Sequence, residues 1–273
     1  MSLPRTTTAA VMTAQRAPLE LMELTLPEIK PGQVMVEIAF SGICHTQLGE
    51  VRGKRGPDPY VPHCLGHEAG ARVLGVGEGV TKVKPGESAV VTWIKGEGAN
   101  VPGTVYQRAD GGGAVNAGAV TTFMRHAVVS ENRLVPVPAD FPLDIAALLG
   151  CAVPTGAGAV LRTGRAEADE SVAIFGLGGV GLSAMLAAVW RGCTPIIAVD
   201  VVAEKLDQAL AIGATHTVNA VSEDVTARIK EITGSDGVDI AVEAAGVTKA
   251  MEAAYEATRM FGGRTVLAGN LAH

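Results

Sequence analysis

Residues 171–181, Ser-Val-Ala-Ile-Phe-Gly-Leu-Gly-Gly-Val-Gly, decide the fold of the second half of the chain. A short apolar run precedes a G-x-G-x-x-G pattern and an alanine-rich segment, which is the order of a buried strand, a tight turn and a helix. The first glycine permits the turn, the second lets the backbone approach a pyrophosphate, and the third lets helix and strand pack closely. The predicted dinucleotide-binding residues of this turn are Gly176, Gly178, Gly179, Val180 and Gly181.

Asp200 strengthens this interpretation. It ends the next apolar run, Ile196–Asp200, near the spacing of about 20 residues expected for a carboxylate that accepts from a ribose hydroxyl. An acid at this place repels a 2′-phosphate, so NAD is favoured over NADP. The alternatives are a strand-end acid or a helix N-cap for Asp200, and a solvated helix lysine for Lys205, which otherwise reaches the adenosine ribose.

The second half of the chain alternates short apolar strands with alanine-rich helices, which is typical of a parallel sheet. Because the last predicted strand lies only a few residues before His273, we expect the sequence to be cut short before the final strand of this domain. The predicted strands are Ser171–Phe175, Ile196–Asp200, Thr215–Val218, Val238–Glu243 and Arg264–Ala268, and the predicted helices are Ala203–Ile212, Asp224–Ile232 and Thr248–Arg259.

The first half has a different texture, with β-branched runs separated by glycine and proline. We therefore predict a mainly-β domain over residues 1–140 and an α/β domain over residues 141–273, with a glycine-rich loop at 96–118. The predicted strands of the first domain are Gln33–Phe40, Ala71–Val76, Ser88–Thr92 and Phe123–Val129.

Composition excludes several classes of protein. The formal net charge is −6 and 18% of residues are charged, so the basic footprint of a nucleic-acid-binding protein is missing. Met1–Arg16 has no apolar run of a secretory signal. The uncharged stretch 171–190 contains the glycine pattern, which favours strand, turn and helix over a membrane span. We expect a cytoplasmic protein without a disulfide framework.

Cys44, His67 and Cys151 are candidate metal ligands. Two thiolates and one imidazole leave the fourth tetrahedral position of zinc open, as a Lewis-acid site requires. Each residue alone could instead be buried packing, and the three lie too far apart for their spacing to prove a site. We predict packing roles for Cys64 and Cys193, and structural or surface positions for His63 and His126.

Four motifs together resemble the zinc-dependent medium-chain alcohol dehydrogenase family over essentially all 273 residues. They are Gly-Ile-Cys-His-Thr at 42–46, Gly-His-Glu at 66–68, Gly-Cys at 150–151 and the glycine turn at 176–181. The resemblance implies a GroES-like catalytic domain, a Rossmann domain with a doubly wound parallel sheet, and reversible NAD-linked oxidation of an alcohol at one catalytic zinc. Cys44, His67 and Cys151 fall on the positions of the zinc ligands.

The same resemblance gives roles to the neighbours of these ligands. It implies that Thr46 accepts the proton of the alcohol, that His45 lies near the coenzyme pyrophosphate, and that Glu68 is an acid close to the metal. Trp93 falls where the family lines its substrate pocket with large apolar groups, although simple core packing is an equal alternative.

The chain departs from the family pattern at several positions. Gln47 replaces a carboxylate that orients the zinc-bound histidine, and we expect it to accept a hydrogen bond without charge. Gly49 replaces a histidine that ends the proton relay, and Ala71 replaces a glycine. The loop 96–118 has no cysteine, so we expect no structural zinc. Relatives continue past residue 273, and this early end puts the homo-oligomer that the family forms, and nicotinamide placement, in question.

We carry three functions forward. The first is NAD-dependent oxidation of a small-molecule alcohol to an aldehyde or ketone. The second, motivated by Gln47 and Gly49, uses zinc and NAD without net redox turnover in specialised metabolism. The third, motivated by the early end of the sequence, is a catalytically weak NAD-binding relative. A zinc-free quinone reductase on the same fold leaves Cys44, His67 and Cys151 unexplained.

Overall fold

The computed structural model describes residues 3–271, which form two compact units that divide between Cys151 and Ala152. The predicted boundary lay earlier, after residue 140. The first unit extends further because helix α2 (Leu143–Leu148) packs on strand β5 (Glu68–Val76). Gly70 permits this contact, since a Cβ there would overlap the carbonyl oxygen of Leu143.

The first unit contains a closed five-stranded barrel, in the order β1-β2-β7-β8-β4, and a five-stranded sheet, in the order β10-β6-β5-β3-β9. A single apolar core contains buried residues of both. Besides α2 and β5, its elements are β1 (Thr6–Met12), β2 (Glu20–Thr25), β3 (Gln33–Ser41), α1 (His45–Val51), β4 (His63–Cys64), β6 (Ser88–Thr92), β7 (Val105–Arg108), β8 (Ala114–Asn116), β9 (His126–Ser130), a 3-10 turn (Glu131–Arg133) and β10 (Leu134–Val137).

The four strands predicted for this half correspond to β3, β5, β6 and β9, with β5 beginning three residues earlier than expected. The predicted loop at 96–118 was wrong in part, because it contains the β7–β8 hairpin. Tyr106 of β7 is completely buried in the core, and its hydroxyl accepts a hydrogen bond from the Val128 amide at 2.8 Å. Val115 of β8 is also completely buried in this core, so one inward side chain from each strand anchors the hairpin.

A buried carboxylate holds the segment that leads into this hairpin. Glu131 accepts from the amides of Thr81 and Lys82 through one oxygen, and from the amide of Ala99 through the other. Burial disfavours the charged form, but the three amides outweigh it, and the pKa of Glu131 lies below its ordinary value. Glu131 thus ties two loops together as an ionised group.

The second unit is a parallel sheet in the order β13-β12-β11-β14-β15, which confirms the doubly wound prediction. The strand order reverses between β11 and β14, and in such sheets ligands bind at this point. Its elements are α3 (Ala152–Gly158), a π-helical turn (Ala159–Thr163), β11 (Val172–Phe175), α4 (Gly179–Arg191), β12 (Ile196–Asp200), α5 (Ala203–Ala211), β13 (His216–Asn219), α6 (Val225–Thr233), β14 (Ile240–Glu243), α7 (Thr248–Glu256) and β15 (Arg264–Leu267).

Helices cover both faces of this sheet, because alternate residues of each strand point to opposite sides. In β11, Val172 and Ile174 belong to the core on one face, while Ala173 and Phe175 belong to the core on the other. The stretch 171–190 forms β11, the glycine turn and most of the 13-residue helix α4. Among residues 3–271, no helix combines the length and the apolar character that crossing a membrane requires.

We predict that Tyr106→Phe lowers the free energy of unfolding by about 1–3 kcal/mol, because it leaves the buried Val128 amide without an acceptor. Urea unfolding followed by circular dichroism measures the change. Tyr60→Phe is the matched control, since the Tyr60 side chain is exposed, and it should change the midpoint little. Equal midpoints for the two variants would show that the Tyr106 hydroxyl does not contribute to the free energy of unfolding.

Candidate metal centre and dinucleotide site

The three candidate metal ligands come together in the first unit. The Sγ atoms of Cys44 and Cys151 and a ring nitrogen of His67 all lie within 4.8 Å of one another. Cys44 immediately precedes α1, His67 immediately precedes β5, and Cys151 follows α2. Three turns that are distant in sequence therefore converge, which the spacing of the residues alone did not show.

Two glycines leave room for this convergence around Glu68, the first residue of β5. A Cβ at Gly42 would lie 2.6 Å from the Glu68 carboxyl carbon, and a Cβ at Gly150 would lie 2.6 Å from the Glu68 Cβ. Thr92 fixes the second turn, since its hydroxyl donates to the Gly150 carbonyl at 2.6 Å. Sequence reasoning missed Thr92, because a threonine in a strand carries no signal of such a role.

The donor atoms of the triad fit a zinc ion. The Nε2 atom of His67 is buried and has no hydrogen-bond partner among the described residues. The neighbouring Cys151 thiol and then the His67 ring lower the pKa of Cys44, and the interaction with Cys44 together with burial raises the pKa of Cys151. Cys44 is therefore the thiol of the pair that ionises first. Two sulfurs and one imidazole nitrogen are ligands that zinc accepts in tetrahedral sites.

Gln47 orients His67, but not in the way the sequence predicted. The Cys44 amide donates to Gln47 Oε1 at 3.1 Å, and Gln47 Nε2 lies 2.5 Å from His67 Nδ1. The Gln47 oxygen thus accepts a hydrogen bond, as expected, but from the Cys44 amide at the start of α1, and the amide nitrogen faces the His67 ring. Gln47 is buried. Its amide nitrogen takes the place beside His67 Nδ1 where a carboxylate would offer an acceptor.

The other predicted residues surround the triad unequally. Thr46 Oγ1 lies 3.6 Å from Cys44 Sγ, while the His45 side chain is exposed. Glu68 is buried, and its charge adds to the effects of Cys44 and of burial that raise the pKa of Cys151. At Gly49 a Cβ would meet nothing within 4 Å, so no side chain replaces the absent histidine there.

Trp93 lies beside the triad rather than in the core. Its ring centroid is 6.5 Å from that of His67 in a T-shaped arrangement, and the side chain is half exposed. The neighbouring Cys44 raises the pKa of Cys151, and a hydrogen bond from Trp93 lowers the pKa of Cys151. The core-packing alternative for Trp93 is therefore wrong, and its free face is a wall beside the metal ligands.

The remaining cysteines and histidines lie outside the triad. Burial raises the pKa of Cys64 to about 12 and also raises the pKa of Cys193, so both thiols stay protonated inside the core. His63 pairs with Asp58, with 2.8 Å between Nε2 and Oδ2. His126 does not belong to the triad either. Its backbone amide donates to the Thr7 hydroxyl at 2.8 Å.

The glycine turn of the second unit has the steric properties of a phosphate-binding turn. Gly176 has φ of 88°, and a Cβ there would lie 2.7 Å from the Ala245 amide. A Cβ at Gly181 would overlap the Gly176 carbonyl oxygen. A larger residue at Gly181 would push α4 away from the turn, and one at Gly176 would overlap the segment that follows β14.

Helix α4 begins at Gly179, with Gly178 as its N-cap and no side chain capping it. The first amides of a helix have no acceptor within the helix, so those of Gly179, Val180 and Gly181 are available to an anion. Around Gly178 a Cβ would meet nothing within 4 Å, which leaves space for a phosphate.

Asp200 holds this turn in place. Its Oδ2 accepts from the Leu177 amide at 2.7 Å, and its Oδ1 accepts from the amides of Val201 and Val202 at 2.8 and 3.0 Å. Lys205 Nζ lies 3.7 Å from Oδ2. Sequence reasoning missed the bond to Leu177, because it joins two segments that only the parallel pairing of β11 and β12 brings together. Oδ1 thus accepts from two amides, while Oδ2, which accepts from one, retains a lone pair for a further donor.

Two family models match the chain. An alcohol dehydrogenase GroES-like domain matches residues 30–139, and a zinc-binding dehydrogenase domain matches residues 179–273. These matches agree with the predicted pairing of a GroES-like domain with a Rossmann domain.

Relatives and solved structures agree with both models. The class-3 alcohol dehydrogenase of Cereibacter sphaeroides is 32% identical over 96% of this chain and 78% of its own length. The S-(hydroxymethyl)glutathione dehydrogenase of Paracoccus denitrificans is also 32% identical, over 96% of this chain and 78% of its own. The crystal structure of benzyl alcohol dehydrogenase from Acinetobacter calcoaceticus superposes with a TM-score of 0.87 at 30% identity, covering 98% of this chain and 78% of that one. Their extent and identity show that this chain belongs to the zinc-dependent medium-chain alcohol dehydrogenase family.

Proposed function

We propose that this protein reversibly oxidises an alcohol to an aldehyde or ketone and transfers the hydride to NAD at one zinc site. The observation that carries the proposal is the convergence of Cys44, His67 and Cys151 within 4.8 Å, with the buried Nε2 of His67 lacking a partner among the described residues. The dehydrogenase names of the relatives support it, and they give no support to chemistry without net redox turnover.

Zinc held by the triad supplies a Lewis acid that lowers the pKa of an alcohol hydroxyl, and NAD supplies the hydride acceptor. The two thiols and the imidazole bind the metal and leave one position for substrate. Thr46, whose oxygen lies 3.6 Å from Cys44 Sγ, would accept a hydrogen bond from the alcohol hydroxyl and take its proton while passing its own proton on. Because Gly49 has no side chain, the proton leaves Thr46 through water or through the exposed His45. Trp93 shields one side of the triad from water.

The glycine turn binds the coenzyme pyrophosphate through the first amides of α4, and Asp200 accepts from the adenosine ribose while it holds the turn. Lys205 lies close enough to Asp200 to share this hydroxyl. A carboxylate at this position excludes a 2′-phosphate, which favours NAD over NADP. The substrate and product are the small-molecule partners, and we propose one zinc per chain, because the loop 96–118 has no cysteine to hold a second zinc.

The zinc content of the protein tests the proposed metal site. Purified protein should contain about one zinc per chain, and His67→Ala or Cys151→Ala should remove most of it, because two ligands hold zinc poorly. Elemental analysis measures the content. Cys193→Ala is the matched control, since this buried cysteine lies in the second unit, and it should keep its zinc. Protein without zinc after reconstitution with excess metal would refute the proposed mechanism.

The second prediction concerns Gln47. In Gln47→Glu one carboxylate oxygen can accept from the Cys44 amide, while the other accepts from His67 Nδ1 and leaves Nε2 for the metal. We expect zinc to bind about 10-fold more tightly, at the lower end of what such partners contribute. Competition with a chromophoric chelator measures the affinity. Gln107→Glu introduces the same charge at an exposed position of the same unit and should not change it. An equal gain in both variants would show that general charge, and not the hydrogen bond, controls affinity.

The third prediction concerns the coenzyme. Asp200→Asn should weaken NADH binding by about 10-fold and raise the ratio of NADPH to NADH affinity, because the charge that repels a 2′-phosphate is lost. Coenzyme fluorescence gives both dissociation constants. Asp207→Asn, at an exposed position of α5, is the control. A loosened glycine turn alone would weaken both coenzymes alike, so an unchanged ratio contradicts the assignment of Asp200.

A further inference from the structure

Four basic residues form a group that the function above does not use. Three of them, Arg52, Lys54 and Arg55, follow directly after α1, and the fourth is Arg16. All four side chains are exposed. We call these four residues the basic rim. Such a concentration stands out in a chain whose formal net charge is −6.

The charge of the basic rim has no partner in the described part of the chain. Ion pairs within 4.0 Å among residues 3–271 include none of its four members. Of the nearby acids, Asp58 is taken by His63. Glu50 is partly buried, and burial raises its pKa while the charge of Arg55 lowers it. The rim is therefore a group of exposed cations that make no ion pair within 4.0 Å in the described part of the chain.

The loop that holds the rim is fixed by hydrogen bonds at both ends. The Gln15 side-chain amide donates to the carbonyls of Glu50 and Gly56 at 3.3 and 3.0 Å, and its oxygen accepts from the Asp58 amide at 3.3 Å. One side chain from the preceding part of the barrel thus spans the loop. Such bonds order the loop before any ligand arrives, which lowers the entropic cost of binding.

Arg16 is held against the same loop by a conformation that is rare for its residue type. Its φ is 62°, and its amide donates to the Val51 carbonyl at 2.6 Å. A Cβ at Gly53 would lie 3.6 Å from Arg16 Nε, so the guanidinium lies beside the loop. A left-handed conformation at a residue other than glycine is unfavourable and persists only where the surroundings fix it. In this conformation Arg16 lies beside the loop that carries the other three cations.

The basic rim lies near the metal triad. Helix α1 begins after Cys44 and has seven residues, which correspond to about 10 Å of helix. Arg52 follows the last residue of that helix directly, and Lys54 and Arg55 lie two and three residues further on. A group bound at the rim and an oxygen at the triad can therefore belong to one small molecule.

We propose that the substrate alcohol carries an anionic group, a carboxylate or a phosphate, and that the basic rim binds this group. The inference rests on the proposed oxidation of an alcohol and adds its substrate class. Guanidinium groups match both anions, since their planar fork gives two parallel hydrogen bonds. A large polyanion is disfavoured, because the rim is one loop and one neighbouring residue on an acidic protein.

The test compares matched alcohols as substrates of the zinc-loaded protein with NAD. The carboxylate pair is 4-(hydroxymethyl)benzoate and benzyl alcohol, and the phosphate pair is glycerol 3-phosphate and glycerol. We expect kcat/KM for the anionic member of at least one pair to exceed that of its neutral partner by about 10-fold or more at low salt, and this preference to fall as KCl is added. The pair that responds identifies the anion.

The double variant Arg52→Gln, Arg55→Gln should reduce the anionic preference by about 10-fold, in line with the loss of charged hydrogen bonds. The double variant Arg72→Gln, Lys84→Gln removes the same charge from exposed positions of the same unit and should keep the preference. Circular dichroism and zinc content confirm that each variant is folded.

Three results would overturn the assignment. If neutral and anionic alcohols are oxidised equally well, the basic rim does not bind substrate, although the proposed oxidation stands. If the rim variant raises the KM for NAD as much as it lowers the anionic preference, the rim serves the coenzyme. If no alcohol is oxidised, the proposed function fails, and calorimetry with 4-(hydroxymethyl)benzoate and glycerol 3-phosphate still tests the rim, since equal binding to the rim variant and the parent protein refutes it.

Discussion

The close approach of three backbone turns around the Glu68 side chain is the constraint on which the metal centre depends. Gly42 and Gly150 lie against this side chain where no Cβ would fit, and each precedes a cysteine ligand by one or two residues. The Thr92 hydroxyl pins the second of these turns. Ligand geometry is thus set by the packing of a β-sheet edge, so the donor atoms converge before a metal is bound.

The second unit solves a similar problem with a different anchor. There Asp200 holds the turn that would receive the pyrophosphate, because it accepts from the Leu177 amide. Close packing at Gly176 and Gly181 holds the same turn. In both units a buried carboxylate stands behind a glycine-containing turn. The reactive surface is made of backbone and small residues, while charged side chains in the layer beneath it determine its shape.

The sequence predicted elements that have a local pattern and missed those that depend on distant contacts. The parallel strands of the second unit and the glycine turn follow from apolar runs and residue spacing, and β3 and β6 from β-branched runs. The β7–β8 hairpin was missed because its two short strands each bury a single side chain, Tyr106 and Val115, within a glycine-rich stretch. The hydrogen bonds of Gln47, the Leu177 contact of Asp200 and the half-exposed ring of Trp93 arise between segments far apart in sequence, where composition and periodicity are silent.

Glu131 joins two loops of the first unit without any contribution from the cysteines. The loops around Thr81 and Ala99 are joined through a carboxylate and three amides, with neither thiol nor metal involved. Chelators and oxidants that attack Cys44 and Cys151 therefore have nothing to act on at this second anchor. Because the pKa of Glu131 is lowered, the anchor contributes stability at neutral pH and loses it only as acid protonates the folded carboxyl. Damage to the reactive centre and loss of this loop structure are chemically separate events in the protein.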